Sequence, residues 1–452
     1  MRSLHGACLF VLGLAAAACG SSGDDGQTGA PGAAGSGGAG GAAGTAGATG
    51  PAGTAADAGG KPVRLLDERI GGWKAASRSR INKLLADRGV ASPTFDASKR
   101  PVATFDWDNT IVKNDIGDAT FFWMLKHDKI RQPAGNDWAT TSAALTADGR
   151  AALNAACDGL AAAGAPLPTS TSTACADAFV KMYDGLKTPG GLDAWGPSYA
   201  TTTKINFAYA WVAQLTAGST PDEVRGYARA AFAENVSAPI GTTQTVGSIT
   251  GLNGYVRVYE QIADLMGALQ DNGFDVWVVT ASPQLIVDAV SSEVGIPASH
   301  VLGIRNVVAN GMVTTNLEGC GTVADGANTM ITFDEGKRCW INKVIFKGTA
   351  ASQAQTSADA TKRQVFAAGD SDTDIAFLKD ATELKLVINR NKGQVMCNAL
   401  NNYQGKWLYE PMFILPRAVK TTPYDCPTIL KNDGTAGVFD EAGNAIGPKT
   451  EQ

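Results

Sequence analysis

Histidine is nearly absent from this 452-residue chain, which holds only His5, His127 and His300. No Cys-x-x-Cys pair is present, so a zinc centre and a histidine-based nucleophilic triad are both disfavoured. His127 and His300 read as structural. Basic charge is not in excess either: 38 Lys and Arg stand against 43 Asp and Glu, a net charge of -5. The cations are scattered rather than grouped in a stripe, so nucleic acid is not an expected partner. No apolar run is long enough for a membrane span, and no internal repeat is visible. The length allows about two or three domains with a large core.

The ends of the composition are more informative. Residues 1–18 combine Arg2, an apolar stretch from Ala7 to Leu14 and a run of alanines, the pattern of a bacterial export signal. Leu14-Ala15-Ala16-Ala17-Ala18-Cys19 resembles the lipidation box of bacterial lipoproteins, with Ala16 standing where Leu is usual. That resemblance implies a lipid anchor at Cys19 in the cell envelope, and Gly20 after it points to the outer membrane. Residues 19–62 are mostly Gly, Ala, Ser and Thr, with too little apolar surface to offset ordering entropy, and read as a flexible tether. Beyond Cys8 and Cys19, six of the eight cysteines remain. In an exported chain they read as disulfides. Many pairings are open; closeness along the chain favours Cys157 with Cys175, Cys320 with Cys339, and Cys397 with Cys426.

Helical spacing of Leu66, Ile70, Trp73, Ile81, Leu84 and Leu85 predicts helices before a buried strand at 101–106. Residues 63–115 are therefore taken as the first part of a core. Residues 116–255 show mostly helical periodicity and are expected to form an inserted cap. Residues 256–452 complete the core: an amphipathic helix through Val258 to Leu269, a strand at 275–280, a strand at 300–307 and a hairpin through 310–312. A helix near 338–347, a strand at 364–368, a helix from about Asp374 and a last strand at 384–388 follow. Strands alternating with helices predict a doubly wound, mostly parallel α/β sheet.

Three of these strands end on polar clusters: Asp106-Trp107-Asp108-Asn109-Thr110, Thr280-Ala281-Ser282, and Gly369-Asp370-Ser371-Asp372-Thr373-Asp374. Open parallel sheets bind ligands beyond the carboxyl ends of their strands, which brings the clusters to one edge. Asp106 and Asp108 repel one another unless a cation lies between them. Carboxylates in oxygen-only surroundings favour a hard ion such as Mg2+. With it, one Asp can attack phosphorus and a second can move the proton of the leaving alcohol.

At these residues the chain resembles the haloacid dehalogenase superfamily of phosphatases, in Asp-x-Asp-x-Thr, a Thr after a strand, a Lys, and Gly-Asp-x-x-x-Asp. The resemblance implies Asp106 as nucleophile and Asp108 as general acid and base. Thr110 would support the loop beside the substrate, and Thr280 would contact phosphoryl oxygens with Ala281 and Ser282 nearby. Asp106, Asp108 (through its carbonyl), Asp370 and Asp374 would hold or order Mg2+. The phosphate-neutralising lysine is Lys337 or Lys343, with Lys337 favoured by its Gly336 lead-in. "VVTASPQLIVDAVSSEVGI" is similar to the phosphoserine phosphatase branch and to exported phosphorylcholine phosphatases. That implies a small phosphomonoester as substrate and a helical cap after the first motif.

Other residues have blander readings. Asn114 and Asp115 face the substrate or form a solvated hinge. Asp372 reads as solvated, and Asn389-Arg390-Asn391-Lys392 as a polar loop. The cap aromatics Trp123, Trp138, Trp195, Tyr199, Tyr209, Trp211 and Tyr227 suit a quaternary ammonium but fit helical core better. The alternative to an enzyme is a non-catalytic surface lipoprotein that binds a ligand or partner through its cap.

Overall fold

The computed structural model describes residues 62–196, 204–431 and 434–451. The export signal, the tether, Cys19 and Tyr199 lie outside the described residues. The helical spacing before the first strand yields one helix, α1 (Ala75–Arg88), which buries Ile81, Leu84 and Leu85 and ends where the Gly89 N–H reaches the Leu85 carbonyl. Residues 64–67 are instead fastened to the core: Arg64 and the Asp67 N–H both bond Asp264, at 2.8 Å.

The fully buried β1 (Val102–Phe105) leads into β2 (Val112–Lys113). An insert follows with α2 (Ile116–Lys126), α3 (Ala147–Cys157), α4 (Thr173–Asp184), α5 (Phe207–Gln214) and α6 (Pro221–Ser237). Polar caps start these helices: Asp115 for α2, Thr146 for α3, Asn206 for α5, and a Thr220/Glu223 capping box for α6. Such caps satisfy first-turn N–H groups that have no helical acceptor. The insert is not all helix, since β3 (Thr243–Val246) and β4 (Ile249–Asn253) form a hairpin around Gly247, at φ 60°. The β-branched residues of Thr242–Thr250 favour that pairing. The chain returns through β5 (Arg257–Val258), which pairs antiparallel with β2. The insert is thus clasped where it leaves and rejoins the core.

The second part runs α7 (Glu260–Asp271), β6 (Asp275–Pro283), α8 (Gln284–Asp288), β7 (Val301–Ile304), β8 (Asn306–Ala309), β9 (Met312–Leu317), α9 (Glu335–Val344) and β10 (Phe366–Gly369). It ends with α10 (Ile375–Asp380), β11 (Leu384–Asn389), α11 (Gly393–Asn401) and β12 (Trp407–Pro411). The central sheet has the order β12-β11-β10-β1-β6-β7, every pairing parallel. Strand β12 extends the sheet past 384–388, the last strand expected from sequence. It is short, and its Pro411 is tolerated because the strand lies at the edge. The expected hairpin at 310–312 joins β8 to β9 through Asn310 and Gly311, both at positive φ.

The insert is also joined to the β8–β9 region. The Gly218 N–H donates to the Val313 carbonyl at 2.9 Å and the Val313 N–H to Ser219 at 2.8 Å. The Ile331 N–H reaches Lys204 at 2.9 Å, and Gln214 Nε2 donates to the Thr315 carbonyl at 2.9 Å. Arg225 on α6 pairs with Asp288 on α8 at 2.9 Å. The disulfides are Cys157–Cys175, Cys320–Cys339 and Cys397–Cys426, the pairings that closeness along the chain favours. Among the described residues, no helix is long and apolar enough to cross a membrane.

Candidate active site

Strand β1 lies between β6 and β10, so the three polar clusters meet at the carboxyl edge of the sheet. The loop after β1 is held tight. The Asp106 N–H donates to Ala368 of β10 at 2.9 Å, and the N–H groups of Thr110, Ile111 and Val112 converge on the Trp107 carbonyl. Trp107 is fully buried and anchors the loop from below. Asn109 turns the chain at φ 61°, a conformation Asn tolerates better than most residues.

Three buried carboxylates, Asp106, Asp370 and Asp374, bring oxygens within 4.8 Å of one another. Lys337, 1% exposed at the start of α9, donates to Asp106 Oδ1 at 2.6 Å and to Asp374 Oδ1 at 2.5 Å. Thr110 Oγ1 donates to Asp106 and Asp370 at 3.2 and 3.3 Å. The other oxygen of Asp374 accepts the N–H groups of Asp370 and Ser371, which fixes the loop after β10. Gly369 makes this possible: a Cβ there would lie 2.7 Å from the Asp374 carboxylate. Gly336 serves α9 similarly, since a Cβ would sit 1.8 Å from the Ile331 carbonyl.

Electrostatics separates the two aspartates of the first cluster. Burial, reinforced by Asp374, pushes Asp106 well above the usual carboxylate range, while Lys337 opposes the shift. Asp108 is raised to about 6, chiefly by burial, against hydrogen bonds from the Ile116 N–H and Ser282. For Lys337, burial disfavours the charge, but Asp106 and Asp374 outweigh it and raise its pKa. The oxygen-only donors suit a hard cation: Asp106 and Asp370 have the placement to hold Mg2+, and Asp374 is committed to Lys337 and the loop.

A cavity of about 120 Å³ opens onto this centre, lined by Asp106, Asp108, Lys337, Asp370, Ala281 and Ser282 among others. Thr280 is fully buried and does not line it: its hydroxyl donates to Asp108 at 3.3 Å and accepts the Ser282 N–H. Ser282 Oγ takes the closer place, 2.7 Å from Asp108. Asn114 is directed away, its amide on the Tyr255 carbonyl at 2.9 Å, and Thr110 lies beneath the carboxylates. Lys343 bonds the Gly319 carbonyl and lies over the Trp340 ring, so of these two lysines it is Lys337 that reaches the carboxylates.

Asp115 does face the cavity, as do Tyr183, Tyr209, Val212 and Phe333. Burial pushes Asp115 well above its ordinary pKa, and Asp108 and Asp118 add to the shift. Trp138, Trp195 and Trp211 pack as core, while Trp123 stacks on His127 and Tyr227. His300 bonds Asp275 and packs on Trp277. Two polar readings need correction. Asp372 is not a free surface acid: it accepts the Val395 N–H at 2.9 Å at the start of α11, and burial raises it to about 6. Arg390 is not an idle loop residue: it lines the cavity and bonds Asp370 at 2.7 Å. Its place directly after β11, at the same sheet edge as the motifs, was the available signal.

No curated protein matches the sequence. Among solved structures, a conserved protein of unknown function from Anaerococcus prevotii is 17% identical, covering 77% of this chain and 94% of its own, with a TM-score of 0.49. A protein of unknown function from Bordetella pertussis is 16% identical, covering 70% and 99%, with a TM-score of 0.40. A substrate-bound phosphoserine phosphatase is 14% identical, covering 64% and 86%, with a TM-score of 0.28. Residues 222–379 match the family model described as haloacid dehalogenase-like hydrolase. That match spans β6 to β10, Lys337 and Asp370, and the parallel six-stranded sheet with carboxylates at its edge has the haloacid dehalogenase-like fold.

Proposed function

We propose that the chain is a Mg2+-dependent phosphatase of small phosphomonoesters that works through an aspartyl-phosphate. The observation that carries this is Asp106, held 2.6 Å from Lys337 beside Asp370 and Asp374 at the head of a cavity that also contains Asp108. Lys337 opposes the cost of ionising the buried Asp106, and in its ionised form an Asp106 oxygen attacks phosphorus. The bond from phosphorus to the ester oxygen breaks, and Asp108 gives that oxygen its proton. Asp108 then takes a proton from water as the water oxygen attacks the aspartyl-phosphate, and phosphate leaves with Asp106 restored. A pKa of about 6 suits a group that both gives and takes a proton near neutrality. Bound Mg2+ would neutralise charge on the transferring group.

The rest of the cavity lining supports a leaving alcohol that bears a cationic nitrogen, as in phosphoserine or phosphorylcholine. Tyr183, Tyr209 and Phe333 supply aromatic faces for a cationic nitrogen, and Asp115 lines the same cavity with a carboxyl oxygen. Phosphate release from a panel of phosphomonoesters, with Mg2+ or with a chelator, tests the reading beside Asp106→Asn. The expected result is metal-dependent release that the substitution abolishes, with amine-bearing esters preferred. Release that persists undiminished in Asp106→Asn, or none from any ester, would overturn it.

A further inference from the structure

Asp106, Asp370 and Asp374, the carboxylates of the proposed Mg2+ centre, each already hold a cation of the chain itself. Lys337 bridges Asp106 and Asp374, and Arg390 bonds Asp370. The two cations are held differently. Lys337 bonds two carboxylates through one nitrogen and is sealed in. Arg390 makes one side-chain bond, from Nη1 to Asp370 Oδ2, and its side chain is 12% exposed in the cavity wall. The backbone beneath it is fixed: Asn389 Oδ1 accepts the Asn391 N–H, Asn389 Nδ2 donates to Glu451, and Tyr424 bonds the Asn391 side chain. A long side chain on a fixed base can exchange partners without moving the loop.

We propose that Arg390 couples metal binding to phosphate binding, an inference that rests on the phosphatase reading above. Without metal the guanidinium occupies Asp370. A divalent ion that takes Oδ2 of Asp370 displaces it, and the freed guanidinium then meets the tetrahedral anion in the same cavity. Guanidinium nitrogens suit phosphate oxygens, to which they can donate two parallel bonds. The charge balance favours the same order of events. Asp106, Asp370 and Asp374, with Asp108 in the same cavity, outnumber Lys337 and Arg390, so a divalent ion offsets the excess negative charge and makes room for an anion beside it. Arg390 thus opposes metal alone and favours metal with anion.

The two opposed effects give the test. In calorimetric titrations of the full-length protein, Arg390→Gln is expected to bind Mg2+ alone more tightly, by about tenfold, the worth of one charge-assisted hydrogen bond. The Mg2+-loaded variant is expected to bind inorganic phosphate about tenfold more weakly, and Arg390→Lys to recover part of that loss. A purely structural role, in which Arg390 only orders Asp370, would weaken both equilibria. Metal affinity unchanged or reduced in Arg390→Gln, or phosphate affinity unchanged, overturns the coupling while leaving the phosphatase reading intact. Failure of the unsubstituted protein to bind Mg2+ and phosphate at all overturns both.

Discussion

Asp106 and Asp108 are two residues apart and have opposite surroundings. Asp106 sits on a lysine, whereas Asp108 accepts hydroxyls from Ser282 and Thr280 and the first N–H of α2. Burial, working against those hydrogen bonds, makes Asp108 hold its proton more tightly folded, at about 6, than at its ordinary 3.8. A raised carboxylate contributes stability that is whole below the unfolded value and is lost as pH rises through the folded one. Asp108→Asn should therefore raise the thermal stability of the metal-free protein at pH 8 and leave it unchanged at pH 4. The gain is at most roughly 1–3 kcal/mol, since the group keeps partial access to the cavity. The same substitution should lower phosphate release by about 10²–10⁴-fold. Equal melting of the two proteins at pH 8 would refute the burial argument. At this scale the sequence was legible where a motif fixes the backbone, as with Asp106, Asp370 and Lys337. It was illegible where a side chain had a choice of direction: Thr280 turns to Asp108, Asn114 turns to Tyr255, and Arg390 turns inward.

Among the elements, the junction of β10 with the loop after it carries the tightest steric demand. Gly369 ends β10 in register with Val387 of β11, so neither strand can shift to admit a side chain. Gly369→Ala should push the Asp374 carboxylate off the Asp370 and Ser371 N–H groups and off Lys337, at a cost of about 1–3 kcal/mol. Thermal melting measures that cost, and calorimetry should show weaker Mg2+ binding. A variant as stable as its parent would mean that the loop yields easily. The elements also show how far periodicity reaches. Buried β1, β6, β10 and β11 were readable as apolar runs bounded by polar clusters. The β3–β4 hairpin was hidden in a helical stretch by its brevity, and β12 by a five-residue length ending in proline. Helix α9 starts at Glu335 rather than near 338, because the chain turns into it at Asp334, at φ 48°.

For the whole molecule, the relation of insert to core decides what can reach Asp106. The order of strands and helices followed from their pattern, but the attachment of the insert did not. It depends on main-chain bonds between segments about a hundred residues apart, which no local pattern encodes. The insert is clasped by β2–β5, pinned by Arg225 to Asp288, and sewn along 204–219 to β9 and the irregular stretch at Ile331. Hydrogen exchange should find the Val313 and Gly218 amides among the protected ones, and rapid exchange there would show the seam to be loose. A roof sewn to its walls works as a sieve. Phosphate on a free metabolite can enter such a vestibule, while phosphate on the surface of a folded protein is held outside by the bulk of its carrier. On the phosphatase reading proposed above, the stitching favours small esters over phosphate carried by macromolecules.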